Sequence, residues 1–261
     1  MEQSRQEAHA PYLSLIIPAY NEGPRLGQTL RAVTAYLQAQ PYAWELLVVD
    51  DGSTDDTHTL ATAFVAAHPD LPLRVIANPH RGKAYSVRTG VTQARGKLIG
   101  FTDADLATPI ATLAATLPHF ADGCDVVIGS REGLGAARRG EPAYRHVMGR
   151  IFNALVQIVA LPGIQDTQCG FKIMRGPVAH RLFAASRLYG DDAPPPNGPA
   201  VTGFDVELLY LARRHGYRIA AIPVQWQYVA ESKVNPLRDT IRNVRDLLMV
   251  RGNAVMGRYG S

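Results

Sequence analysis

GFTDADLATP, residues 100–109, is the stretch on which the reading of this chain turns. A short apolar run, Leu98 to Phe101, drives straight into Asp103-Ala104-Asp105, and Pro109 follows closely to stop the strand and open a helix expected over 108–120. In an open α/β sheet, ligands bind outside the carboxyl ends of such strands. Two carboxylates one residue apart at that position pack poorly, and they are good oxygen donors for a hard cation. An aspartate pair can also cap the following helix, and D-x-D alone has low specificity, so both readings stand at this point.

The flanking sequence repeats the same grammar. Leu13-Ser14-Leu15-Ile16-Ile17 reads as a buried strand ending in Pro18-Ala19-Tyr20-Asn21-Glu22, with helical periodicity from Leu26 through Leu30, Val33 and Leu37. Leu46-Leu47-Val48-Val49 is a second strand, running into Asp50-Asp51-Gly52-Ser53-Thr54-Asp55. Arg74-Val75-Ile76-Ala77 and Val126-Val127-Ile128 are further strands, the latter leading to Gly129-Ser130-Arg131. Helical segments between them predict an α/β fold with a mostly parallel central sheet flanked by helices. Right-handed crossovers set the strand-to-helix loops along one edge. Glu22, Asp50, Asn78, Lys83, Asp103, Asp105 and Arg131 are therefore expected at one cleft.

The second half differs in character. A long amphipathic helix is expected over 143–161, with Arg145 and Arg150 near its start. Asp166-Thr167-Gln168-Cys169-Gly170-Phe171-Lys172 follows it, then a helix over 204–215 and a strand pair over 219–228. Leu237, Ile241, Val244 and Leu248 share one face of a C-terminal helix, with Arg238, Arg242, Arg245 and Arg251 elsewhere on it. Such helices suit either a core with solvated charges or an interfacial position. Residues 132–141 and 190–200, rich in turn formers, are expected to be mobile loops.

Composition bounds the class. With 261 residues and 46% hydrophobic content, the chain can bury one large core, and a single domain over 1–261 is expected. Residues 1–11 read as a flexible N-terminus, with 12–131 and 132–261 as two halves of the one domain. A net charge of +4 suits anionic substrates or an anionic membrane surface. Basic residues without a repeated aromatic pattern give nucleic-acid binding little support. Two cysteines, Cys124 and Cys169, form no disulfide framework, and a reducing cytoplasm is expected. No apolar run is long enough to span a bilayer.

The loops narrow the chemistry further. Asp50 or Asp51 can accept hydrogen bonds from a base or from ribose hydroxyls, and Tyr20 offers a ring for stacking. Neither G-x-G-x-x-G after the first strand nor G-x-x-x-x-G-K-[ST] is present, so a dinucleotide dehydrogenase and a P-loop nucleotidase are disfavoured. Phosphate charge must then be met by a cation together with Lys83, Arg131 or other basic residues.

Taken together, Pro18-x-Tyr20-Asn21-Glu22, Asp50-Asp51-Gly52-Ser53-x-Asp55-x-Thr57, Asn78-x-x-x-Gly82-Lys83, Asp103-Ala104-Asp105 and Gly129-Ser130-Arg131 resemble the inverting family 2 glycosyltransferases of the GT-A fold. Within that family, Asp166 to Lys172, Phe204 to Tyr210 and Ser232-Lys233 look most like the polyprenyl-phosphate sugar transferases of the dolichyl-phosphate glucosyl type. The resemblance implies that Pro18, Tyr20, Glu22, Asp50, Lys83, Asp103, Ala104 and Asp105 bind a nucleotide sugar. It places Mg²⁺ or Mn²⁺ on Asp105 with Asp103, and it implies that Arg131, Arg145 and Lys233 contact acceptor or donor phosphate. UDP-glucose is favoured over GDP-mannose, and the acceptor is a polyprenyl or dolichyl phosphate. A transferase with a soluble acceptor is the alternative, and a non-catalytic nucleotide- or lipid-binding protein a more distant one. Asp166 is either a polar catalytic residue near the acceptor or a structural cap.

The chain departs from the family pattern at three points. Ala107 stands where the mannosyl branch often has Gln, which favours the glucosyl form. Gly149 stands four residues after Arg145 where related enzymes carry serine, weakening the assignment of Arg145 to the acceptor. The membrane anchor that begins the eukaryotic glucosyl enzymes is not seen, so contact with the cytoplasmic membrane face is expected from the amphipathic helices and their arginines.

Overall fold

The computed structural model describes residues 10–190, 203–229 and 236–259. Its first half alternates as expected: β1 (Leu13–Ala19), α1 (Gly23–Gln38), β2 (Trp44–Asp50), α2 (Thr57–Ala67), β3 (Leu73–Ala77), α3 (Lys83–Gln93), β4 (Leu98–Phe101) and β5 (Val126–Ser130). Every residue of β1 and β2 is buried, because helices cover both faces of the sheet and continuous apolar runs are what such strands require.

A strand from the second half enters the middle of this sheet. β7 (Lys172–Arg175) lies between β4 and β5, antiparallel to both, and β8 (Ile219–Pro223) runs parallel to β5 at the edge. The order is β3-β2-β1-β4-β7-β5-β8, so sequence segments 12–131 and 132–261 share one sheet. The periodicity of the second half did not announce β7, because its apolar run is broken by Lys172, a charge that the fold buries.

The sheet order also locates the crevice. From β1 the chain first builds outward through β2 and β3, then returns to the other side of β1 with β4. That reversal is a topological switch point, where neighbouring loops diverge and leave room for ligand. β4 pairs with β1 only as far as Ile16 opposite Phe101, so Pro18 and Ala19 continue past its end and the Asp103 turn leaves beside them.

Several expected elements take another form. The helix expected over 108–120 is two short pieces, α4 (Thr112–Thr116) and α5 (Pro118–Ala121). Pro118, lacking an N–H, starts the second piece. The strand pair expected over 219–228 is not a hairpin: β8 joins the main sheet, while β9 (Gln225–Gln227) pairs with β6 (Ala137–Arg139) in a second sheet. Residues 132–141, expected to be loose, carry β6. They are also tied by Arg138 to Glu132 (2.7 Å) and Glu141 (2.8 Å). Residues 191–200 and 1–9 of the other expected loose segments lie outside the described residues.

The remaining helices are α6 (Ala143–Val159), α7 (Gly176–Ala185), α8 (Phe204–Arg214) and α9 (Pro236–Val255). α6, α7, α8 and α9 pack with α3 on one face of the sheet around Phe101, Phe152, Val156 and Leu208, while α1 covers the other around Leu15, Ile17 and Leu30. No helix among the described residues is long and apolar enough to cross a membrane.

Candidate active site

Much of the polar loop chemistry in the first half serves to join loops. Asn21, at φ 53°, accepts the Thr54 N–H at 2.8 Å through Oδ1 and donates its own N–H to Ser53 Oγ at 2.9 Å. Asparagine tolerates this left-handed backbone better than most residues. The Glu22 N–H reaches Thr57 Oγ1 at 2.7 Å, and its carboxylate pairs with Arg25 at 2.9 Å. These bonds lock the loop after β1 to the loop after β2.

The two aspartates at the end of β2 divide their work. Asp51 accepts four hydrogen bonds, from the Arg81 and Gly82 N–H groups, the Ser86 hydroxyl and His80 Nδ1, at 2.8–3.1 Å. It thereby fixes the turn that starts α3. Gly52 is required beside it: at φ 69°, a Cβ there would stand 2.7 Å from the His80 backbone nitrogen. Asp50 is buried, takes the Ser53 hydroxyl and lies 3.5 Å from His58. Tyr20 stacks on His80, with ring centroids 4.0 Å apart and 15° between planes. Pro18, Tyr20, Glu22 and Asp50 rim the switch point and do not line the main cavity.

That cavity, about 310 Å³, opens beyond the end of β4. Lys83, Asp103 and Asp105 line one side; Arg131, Arg145, Trp226 and Tyr228 line another. Lys83, the first residue of α3, donates to Asp103. Burial disfavours its charge, but Asp103, Asp205 and Asp105 outweigh that cost and hold the ammonium above the usual lysine range. Asp105 accepts the Ala107 N–H at 3.0 Å, and α4 starts after Ala111 with no side-chain cap, so neither aspartate caps it. The turn is tight enough to set Leu106 at φ 47°, a strained geometry for a leucine, and such strain gathers at functional turns. Ala104 faces the other way, buried, its carbonyl accepting Thr29 Oγ1 at 2.6 Å.

The second half closes on this turn. A Cβ on Gly170 would fall 1.9 Å from Asp103 Oδ2, so only glycine lets the loop before β7 approach the carboxylate. Cys169 beside it is buried, and burial pushes its thiol up, which makes it a packed rather than a reactive sulfur.

Asp166 has a different place from the polar catalytic role weighed for it. Its side chain is fully buried and grips Arg131 through Oδ2 to Nε at 2.7 Å and Oδ1 to Nη2 at 2.9 Å. The Arg131 N–H and the Gln168 N–H complete the set at 2.9 and 3.1 Å. Burial alone would raise its pKa, but the Arg131 guanidinium holds the carboxyl well below the usual range. A carboxylate so occupied is a poor base and a good anchor. Arg131 also lies over the Trp226 ring at 5.6 Å, and Arg145 over Tyr228 at 5.2 Å. Lys233 lies outside the described residues.

One buried pair went unassigned by sequence reasoning. Lys172 Nζ meets Asp205 Oδ1 at 2.6 Å, and Asp205 lines the same cavity as Asp103 and Asp105. The available signal was a lysine inside an apolar strand and an aspartate in the first turn of an apolar helix.

The residues fit a divalent cation. Asp105 has its carboxyl raised by burial and by the charge of Asp103, so negative charge is concentrated where a cation would settle it. Among the described residues no group of three His, Cys, Asp or Glu side chains is placed to enclose an ion. One or two carboxylates completed by substrate phosphates is how Mg²⁺-type sites are commonly built.

Sheet order, switch-point aspartates and a cavity spanning both halves define a GT-A glycosyltransferase. The chain belongs to glycosyl transferase family 2, whose pattern matches residues 14–183. It is 31% identical to dolichyl-phosphate beta-glucosyltransferase of Dictyostelium discoideum, over 94% of this chain and 76% of that protein. In fold it is similar to the mannosyltransferase PcManGT from Pyrobaculum calidifontis in complex with GDP-Man and Mn²⁺, with TM-score 0.61 and 24% identity over 95% of this chain and 65% of that one. It is also similar to glucosyl-3-phosphoglycerate synthase from Mycobacterium tuberculosis in complex with Mn²⁺, UDP-Glc and glycerol 3-phosphate, with TM-score 0.64 and 18% identity over 96% and 83% of the two chains.

Proposed function

We propose that this chain transfers glucose from UDP-glucose to a polyprenyl or dolichyl phosphate, with inversion, at the cytoplasmic face of a membrane. The observation that carries the reading is one cavity with an aspartate pair at one side and two arginines at another. The names of relatives that match nearly the whole chain support the sugar and the lipid.

Asp105, with Asp103 beside it, would hold Mg²⁺ or Mn²⁺, which when bound offsets charge building on the leaving diphosphate. Pro18, Tyr20, Glu22 and Asp50 are assigned to the nucleoside, and Lys83 to the diphosphate. Arg131 and Arg145 receive the acceptor phosphate, with Asp166 fixing the planar fork of Arg131 so that little ordering remains on binding. An acceptor phosphate oxygen attacks the anomeric carbon, the bond to the diphosphate breaks, and UDP leaves. A phosphate monoester carries about −1.5 to −2 charges near neutral pH and needs no base to act as nucleophile. A hydroxyl acceptor would need one.

Membrane contact is assigned to α6, whose Tyr144, Val147, Ile151 and Ile158 are all more than half exposed. α9, packed beside it, adds exposed Ile241, Leu248 and Val255. Apolar helix faces flanked by arginines suit a bilayer interface.

Radiolabelled UDP-glucose and, separately, GDP-mannose, offered with Mn²⁺ and a short polyprenyl phosphate, test this. Label extracted into organic solvent from UDP-glucose supports the reading. Label from GDP-mannose alone overturns the donor. Consumption of donor with no lipid product overturns the acceptor and makes the soluble-acceptor alternative the better reading.

A further inference from the structure

Asp205 sits in the cavity wall, paired with Lys172 behind it, without a part in the chemistry above. Lys172 is 1% exposed on β7, its Nζ also donating to the Cys169 carbonyl at 2.6 Å and lying 5.6 Å from the centre of the Phe101 ring. Asp205 is 5% exposed at the start of α8. A buried ion pair is weak evidence of stabilisation, since apolar residues of similar size often serve as well. Its placement is more telling. Asp205 lines the cavity together with Lys83, Asp103 and Asp105, and the Phe204 ring next to it lies 6.0 Å from that of Phe101 at the end of β4, so it stands beside the point where a diphosphate would end and its sugar begin. The main anionic groups of the donor belong with Lys83 and the cation, so a carboxylate here would repel phosphate and attract hydroxyls.

We propose that Asp205 is a specificity-determining residue that accepts a hydrogen bond from a hydroxyl of the donor hexose, and that Lys172 is a positioning residue that holds the carboxylate in place. The proposal rests on the nucleotide-sugar reading of the cavity and extends it to sugar choice. A site built to bond a hydroxyl rejects sugars lacking that group far more strongly than a shape-only pocket does.

The test is the affinity for UDP and for UDP-glucose, each with Mn²⁺, measured by calorimetry for wild type and Asp205→Ala, with GDP and GDP-mannose as a parallel pair. Because the single variant leaves Lys172 buried and unpaired, the double variant Lys172→Met/Asp205→Ala is measured beside it, with melting temperature as the check on folding. The expected result is a loss of about 10- to 100-fold in nucleotide-sugar affinity, the range of a charged hydrogen bond, with nucleotide affinity changed less than about twofold. Equal losses for nucleotide and nucleotide sugar would make the pair structural and overturn the proposal, as would unchanged affinity for both. Wild type that binds neither nucleotide sugar would overturn the donor reading itself, and the assignment of Asp205 with it.

Discussion

Arg131 and Asp166 are a pair whose meaning depends on geometry that no spacing reveals. In sequence they lie far apart, one after a strand and one in a loop, and an aspartate near an acceptor site invites a catalytic reading. The fold buries Asp166 and spends both its oxygens on Arg131 and Gln168. Asp166→Asn is expected to destabilise the protein by about 3–5 kcal/mol at neutral pH, the cost of breaking a buried pair. Its native carboxyl lies below the ordinary value of 3.8, so the unfolded chain takes up the proton first as pH falls. The stabilisation is complete above that value and is lost as pH drops through the native one. Melting curves should therefore show the gap between wild type and variant narrowing only below about pH 4; a constant gap would contradict the pairing. In transfer assays the variant should raise the acceptor KM while the pH profile of kcat keeps its shape, because Asp166 moves no proton. At the neighbouring loop, Gly170→Ala places a methyl where Asp103 Oδ2 now sits. Stability should fall by about 1–3 kcal/mol and kcat should fall more steeply than for an alanine placed at Gly149, where a Cβ meets nothing. The place of the aspartate pair at the cavity was legible because an apolar run that ends in charge marks the end of a buried strand. The need for Gly170 was not, because it arises from a contact between residues far apart in sequence.

Among the elements, those built on a clear period read correctly, and those built on tertiary compensation did not. β1, β2 and β4 are buried throughout and each is built on a short apolar run, and α1 carries its buried Leu26, Leu30, Val33 and Leu37 at helical spacing. β7 was hidden because Lys172 finds its partner on α8, and β6 because it is three residues long and pairs with a strand nearly ninety positions away. α6 carries the element-scale prediction. Its exposed Ile151 and Ile158 touch no core, so Ile151→Glu/Ile158→Glu should leave stability within about 0.5 kcal/mol per site. The same variant should lose flotation with vesicles of mixed neutral and anionic lipid, and with it transfer to long-chain acceptor, while donor binding persists. Flotation equal to wild type would remove α6 from the membrane contact.

Across the whole molecule, β7 and β8 bring the second half of the chain into one sheet with the first, so residues of both halves line one cavity. In the proposed reaction the crevice at the switch point takes the nucleotide, and the wall formed by Arg131, Arg145, Trp226 and Tyr228 takes the acceptor. With so few protein ligands for an ion, Mn²⁺ alone should shift the melting temperature little. UDP with Mn²⁺ at a hundredfold excess over Kd should add about 2.7 kcal/mol, and thermal shift measured with each alone and with both checks the coupling. The central claim, that the acceptor is recognised and activated as a phosphate, is met most directly by comparing a polyprenyl phosphate with the corresponding polyprenol as acceptors for glucose from UDP-glucose. The account predicts glucosylated lipid from the phosphate and none from the alcohol. Equal or greater transfer to the alcohol would contradict it, because the chain would then have to supply a base that Asp166, bound to Arg131, cannot be.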